Sequence, residues 1–145
     1  MKMFPLFGLF AVATAAMVLA AAAPAADAPK HHEHMMACAK ACAACQLECD
    51  SCLAHCKHLL IEGKKEHAPT VTSCADCAAF CSLAARLTAR QSPHSALACE
   101  ACAKMCDDCA TACEKHPHDE HMAKCAKECR ACAKACREMI EHGKH

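Results

Sequence analysis

The sequence predicts an all-α protein, an antiparallel up-down-up-down four-helix bundle with a cysteine-lined core, and three observations lead there. Cysteine supplies 18 of the 145 residues. The cysteines fall into four clusters, and within each cluster one follows the next after only 3 or 4 residues. That alternation is the heptad spacing of an α-helix, with sulfur at the a and d positions that bundles normally fill with Leu or Ile. The segments between clusters are short and carry the Gly and Pro that end helices, which favours antiparallel neighbours.

Residues 1–26 stand apart from this pattern. Lys2 precedes an apolar run from Phe4 to Ala23, and Ala23-Pro24-Ala25-Ala26 offers an A-x-A-like cleavage site. The segment reads as a Sec-type secretory signal peptide to be excluded from the fold, and the expected address is export, in a bacterial periplasm. An N-terminal membrane anchor fits less well, because Pro5 and Gly8 interrupt the run and small residues end it. The chain has no twin-arginine pair, and no later run is apolar and long enough to span a membrane. About 120 residues remain, enough for one domain.

Residues 27–34, with Pro29 and His31-His32-Glu33-His34, read as a flexible His-rich leader, and 35–145 as the metal-storage bundle. Helix one is expected from near Met35 to Glu62, with Gly63 as its stop. Lys64 to Thr70, including Pro69, reads as a loop. Helix two follows from near Val71 to about Arg90, with Thr70 or Thr72 as cap. Ser92 as N-cap and Pro93 as first helical residue open helix three, which continues to about Lys115. Pro117 interrupts, and helix four runs from near Asp119 to His142 ahead of Gly143. Lys40, Glu48, Asp50, Lys104, Asp107, Asp108, Lys127 and Glu128 form the solvated outer face.

Composition excludes some partners. Formal net charge is zero, the basic residues are scattered, Trp and Tyr are absent, and Phe80 is the one aromatic side chain of that class after residue 26. A nucleic-acid partner would require a basic face.

The chemistry lies in the thiols. Cluster one is Cys38, Cys42, Cys45, Cys49, Cys52 and Cys56; cluster two is Cys74, Cys77 and Cys81. Cluster three is Cys99, Cys102, Cys106, Cys109 and Cys113; cluster four is Cys125, Cys129, Cys132 and Cys136. Residues four apart on a helix have Cβ atoms about 5 to 6 Å apart, which suits two thiolates sharing one ion with bonds near 2.3 Å. Eight C-x-x-x-C pairs offer that spacing: 38/42, 45/49, 52/56, 77/81, 102/106, 109/113, 125/129 and 132/136.

Charge selects among the metals. Cu(I) favours thiolate, accepts low coordination numbers and, at one ion per thiolate, leaves the core neutral. Zinc wants four ligands, and a four-thiolate site keeps negative charge. A zinc-thiolate protein and an exported, disulfide-stapled helical protein remain the alternatives. Same-face helical neighbours are too far apart for disulfides without distortion, although bridges between helices are open. An enzyme is not expected, since thiol catalysis needs one distinguished cysteine and these are many and equivalent. His55 lies about 100° around the helix from Cys56 and reads as a surface histidine.

From Cys38 to Cys136 the repeated C-x-x-x-C units resemble the family of cysteine-rich four-helix-bundle copper storage proteins. The resemblance implies that each bundle holds multiple Cu(I) ions, often within a homotetramer, for supply to copper enzymes or for detoxification. The copper donor or recipient is not named by the sequence. The signal-like segment makes the chain similar to the exported branch, though exported members can use a twin-arginine signal. The resemblance also implies that copper is admitted at one end of the bundle, lined by His and Met. His31, His34, Met35, His94 and Met139, with His142, would form that end. Leu59, Leu60, Ile61 and Val71 could plug the opposite end, which also carries His116, His118, His121 and Met122.

Overall fold

A computed structural model describes residues 28–142. Four helices account for nearly all of them: α1 Ala28–Ile61, α2 Ala68–Ala89, α3 Ser95–Cys113 and α4 Glu120–His142. Around the bundle α1 packs on α2 and α4, and α3 packs on α2 and α4, so the diagonal helices meet only through side chains. This is the expected antiparallel four-helix bundle.

Local chemistry explains where each helix stops. Gly63 takes φ +90°, its N–H donates to the Leu60 carbonyl and the Lys64 N–H donates to that of Leu59. Those two bonds make a Schellman turn, and glycine serves there because an L side chain strains at positive φ. The end of α2 repeats the device with Gln91 at φ 53°, the Gln91 and Ser92 N–H groups reaching the carbonyls of Thr88 and Leu87. Asp119 caps α4, its Oδ1 accepting the Met122 N–H at 3.1 Å.

Three boundaries differ from expectation. Helix α1 starts at Ala28, so the supposed flexible leader 27–34 is helical from its second residue. A proline within the first turn costs no hydrogen bond there, and His34 stacks on His142 of α4 with ring centroids 4.1 Å apart. Helix α2 begins at Ala68, because Pro69 belongs to its first turn and not to the loop. The loop shrinks to one 3₁₀ turn, Lys65–His67, and neither Thr70 nor Thr72 caps. Ser92 and Pro93 form a turn before α3: Ser95 N–H and Oγ both donate to the Ser92 carbonyl, and the helix opens at Ser95. Residues 1–26, where the signal peptide is expected, lie outside the described residues.

Every cysteine is buried, with Cys38 the most exposed at 1 %. Between them sit Ala39, Ala78, Ala84, Ala98, Ala103, Ala110, Ala126 and Ala133, also buried, which bring the backbones close without adding bulk. The larger apolar side chains that are buried lie at the ends: Met35 and Met139 at one, Leu59 and Met122 at the other. Phe80 is half-buried and packs on the core. The expected charged outer face is indeed not buried. On it Arg130 donates to both Glu114 carboxylate oxygens at 3.0 and 2.8 Å and to Asp107 at 3.0 Å, while Arg137 also pairs with Asp107. Such exposed pairs contribute at most about 1 kcal/mol each. Among the described residues no helix is long and apolar enough to cross a membrane.

Candidate metal centre

The heptad steps bring the four thiol stripes onto the bundle axis, and the resulting column is continuous. At one end Cys38 Sγ lies 3.7 Å from Cys99 and 3.8 Å from Cys136. Cys136 approaches Cys42 at 3.5 Å, and Cys42 approaches Cys132 at 3.6 Å. Through Cys81 and Cys102 the column reaches Cys106, which stands 3.9 Å from Cys45 and 3.6 Å from Cys77. Cys129 follows, 3.7 Å from Cys45 and 3.6 Å from Cys49, and Cys49 contacts Cys125 at 3.8 Å. Cys52, Cys74, Cys113 and Cys125 then lie within 4.8 Å of one another, and so do Cys49, Cys109, Cys125 and Cys129. Cys56, 3.9 Å from Cys52, closes the far end. No step between neighbouring sulfurs along this column exceeds 4.8 Å.

The closest approaches run between helices. The pairs 45/49, 52/56, 77/81 and 102/106 stand at 3.9 Å along their own helices, whereas Cys42 and Cys136 meet at 3.5 Å across α1 and α4. Sulfurs also meet across the diagonals, as Cys38 and Cys99 do from α1 to α3. Three or four thiolates around an ion with bonds near 2.3 Å are about 3.8 to 4.0 Å apart, so the spacing suits coordination. A disulfide needs about 2.05 Å. All eighteen cysteines are free thiols.

Packing so many acidic groups together divides their ionisation unevenly. Hydrogen bonds from neighbours, Cys106 foremost, hold Cys102 below the ordinary thiol range, and Cys113 foremost does the same for Cys109. Of its partners, Cys42, Cys81, Cys106 and Cys136 are pushed up, whereas Cys132 is itself held down to about 6. Burial, with Cys52 beside it, pushes Cys56 up to about 12. A soft cation entering the array replaces shared protons with metal-sulfur bonds, and the protons leave.

At the end formed by the starts of α1 and α3, Met35 and Met139 are buried over the first thiols. His31 is half-buried, and His34 and His94 are exposed. Gln91 Nε2 donates to His32 Nδ1 at 2.9 Å. The opposite end is closed differently than expected: Leu59 is buried and Val71 packs on the core, but Ile61 is 83 % exposed, and fully buried Met122 takes the plugging position. His55 is no free surface histidine. It is half-buried, donates from Nε2 to Asp119 Oδ2 at 2.7 Å and stacks on His121 with centroids 4.3 Å apart.

Sequence reasoning followed cysteine alone and so missed the rest of the α2 stripe. Thr70, Ala84 and Thr88 continue Cys74, Cys77 and Cys81 at the same steps of 3 and 4, and all three are buried. Thr88 Oγ1 lies 3.4 Å from Cys99 Sγ.

A helical bundle whose core is a connected column of free thiols defines a store for soft metal ions. The profile of the copper storage proteins (Csp) matches residues 31–141, and the chain belongs to that family. Among known structures it is similar to the Cu(I)-bound form of BsCsp3, copper storage protein 3 of Bacillus subtilis. The identity is 32%, covering 74% of this chain and 98% of that one, with a TM-score of 0.68. It is also similar to the cytosolic copper storage protein of Streptomyces lividans carrying five coppers, at 26% identity, 78% and 97% coverage and a TM-score of 0.71. The cysteine-rich protein YhjQ of Bacillus subtilis is 36% identical over 98 residues, 65% of this chain and 84% of that protein.

Family membership makes this protein a copper storage protein. The expectation of export to the periplasm is corrected by the same comparison. A structural relative is described as cytosolic, so the family match carries no exported address, and residues 1–26 lie outside the described structure.

Proposed function

We propose that the eighteen cysteines are the ligands and that the bundle stores Cu(I) as one column of thiolate-bridged ions, on the order of one per cysteine. The observation that carries this reading is the unbroken sulfur column, with neighbours no more than 4.8 Å apart. Overlap among its four-cysteine groups favours copper over zinc. Cys45, Cys49, Cys77, Cys125 and Cys129 each belong to at least two of them, so separate four-coordinate zinc sites would compete for the same sulfur. A bridging thiolate serves two monovalent ions and keeps the buried charge near zero.

Copper arrives at Met35 and Met139, with His31, His34 and His94 around them, and passes to Cys38, Cys99 and Cys136. Each ion taken up displaces thiol protons, which leave the protein, and each inward transfer exchanges one thiolate for the next, the vacated sulfur regaining the proton that the next one gives up. Nothing turns over, because no thiol is set apart with a base. A homotetramer, and supply to copper enzymes or detoxification, complete the reading.

The test removes one layer. Replacing Cys42, Cys102, Cys132 and Cys136 with Ser should lower Cu(I) capacity by about four ions while helical content is retained. An unchanged capacity in a folded variant contradicts the reading.

A further inference from the structure

Cys99 is the exception among the thiols at the Met35 and Met139 end. The C-x-x-x-C pairs leave it out, because Ser95 stands four residues before it and Ala103 four after. Its sulfur meets Cys38 Sγ at 3.7 Å and, on α2, Thr88 Oγ1 at 3.4 Å.

Helix α2 brings no sulfur to this end. Its seam positions there are Thr88 and Ala84, both fully buried, and Cys81 is the nearest of its cysteines. The group Cys42, Cys102, Cys132 and Cys136 accordingly draws on α1, α3 and α4 alone, whereas Cys45, Cys77, Cys81 and Cys106, farther in, includes two from α2.

The Thr88 hydroxyl has an unusual partner. A threonine inside a helix commonly donates to the carbonyl four residues back, and Thr72 and Thr111 do so, to Ala68 and Asp107. Among the described residues the Thr88 hydroxyl is bonded to Cys99 alone, and its residue has no exposed surface. A thiolate that holds copper has no proton, so in the loaded protein the hydroxyl is the donor. A hydrogen bond to a ligating sulfur draws electron density from it and weakens it as a ligand.

The geometry points to Thr88 as a positioning residue of the copper column: its hydroxyl bond to Cys99 makes the ion held there with Cys38 the most readily handed on. The inference rests on the reading that the cysteines are the ligands. It adds a gradient to the column, with a loosely held ion where α2 contributes hydroxyl and methyl groups and tighter sites where α2 contributes sulfur.

The test begins with an anaerobic titration of the reduced full chain. A capacity of only a few ions defeats the column reading at this step, and the proposal with it, before any rate is read. The loaded protein is then mixed with excess Cu(I) chelator in stopped flow. The parent should lose about one ion per chain in a fast phase. Thr88→Val keeps the volume, removes the hydroxyl, and should slow that phase about tenfold with capacity unchanged. Thr88→Ser keeps the hydroxyl, gives up a methyl group, and should release at the parent's rate. Cys99→Ala should abolish the phase and lower capacity by about one ion. Equal rates in the parent and a folded Thr88→Val protein overturn the proposal, and so does equal slowing by Thr88→Val and Thr88→Ser, which would make the role one of packing.

Discussion

His55 of α1 and Asp119 at the start of α4 are joined by a 2.7 Å hydrogen bond, and the same carboxylate caps α4 through the Met122 N–H. One side chain thus ties two helices and closes the first turn of one of them. Burial opposes the charge on Asp119, but the bonds from His55 and Met122 outweigh it and hold the carboxyl below its ordinary range. Asp119→Ala should cost about 1 to 2 kcal/mol at neutral pH. A depressed folded pKa stabilises above the unfolded carboxylate range and is lost as pH falls through the folded value. The gap between parent and variant in denaturant melts should therefore close in acid. A gap independent of pH contradicts the assignment.

The apo fold should weaken in alkali. Cys56 is pushed up to about 12 from 9.0, so its neutral form belongs to the folded state. A raised folded pKa stabilises fully below the unfolded value and is lost as pH rises through the folded one. Thermal melts of reduced, metal-free protein should decline from about pH 9 upward. Flat stability through that window contradicts the buried-thiol ionisation described above.

Thr88 occupies a seam position without being a ligand. It is fully buried 3.4 Å from the Cys99 sulfur, and Thr→Cys is close to volume-conserving. Thr88→Cys should raise Cu(I) capacity by about one ion per chain, read by titration against a competing chelator. Unchanged capacity in a folded variant shows that seam geometry alone does not make a site.

Met35 and Met139 test the direction of loading. Met→Leu keeps volume and removes the thioether, at a cost below about 1.5 kcal/mol. Met35→Leu/Met139→Leu should slow Cu(I) uptake several-fold in stopped flow without altering capacity. Slowing by Met122→Leu instead moves admission to the opposite end.

The seam was legible because cysteine marks the helical period directly, and Gly63 announced its Schellman turn. The extension of α1 to Ala28 was hidden, since a polar His-rich stretch with a proline resembles a leader until α4 supplies His142 as partner. Pro69 and Pro93 carry the same local signal, yet one sits in the first turn of α2 and the other in the turn before α3. The pairing of His55 with Asp119 depends on the relative height of α1 and α4, which no local pattern encodes. Interhelical sulfur contacts such as Cys42 with Cys136 have the same origin.

The most direct measurement is an anaerobic Cu(I) titration of the reduced protein against a competing chelator, followed in the near ultraviolet. Tight uptake that ends near the cysteine count of 18, with thiolate-to-copper bands growing throughout, is the predicted result. Saturation after a few ions, with most thiols still free, would contradict the column as the store.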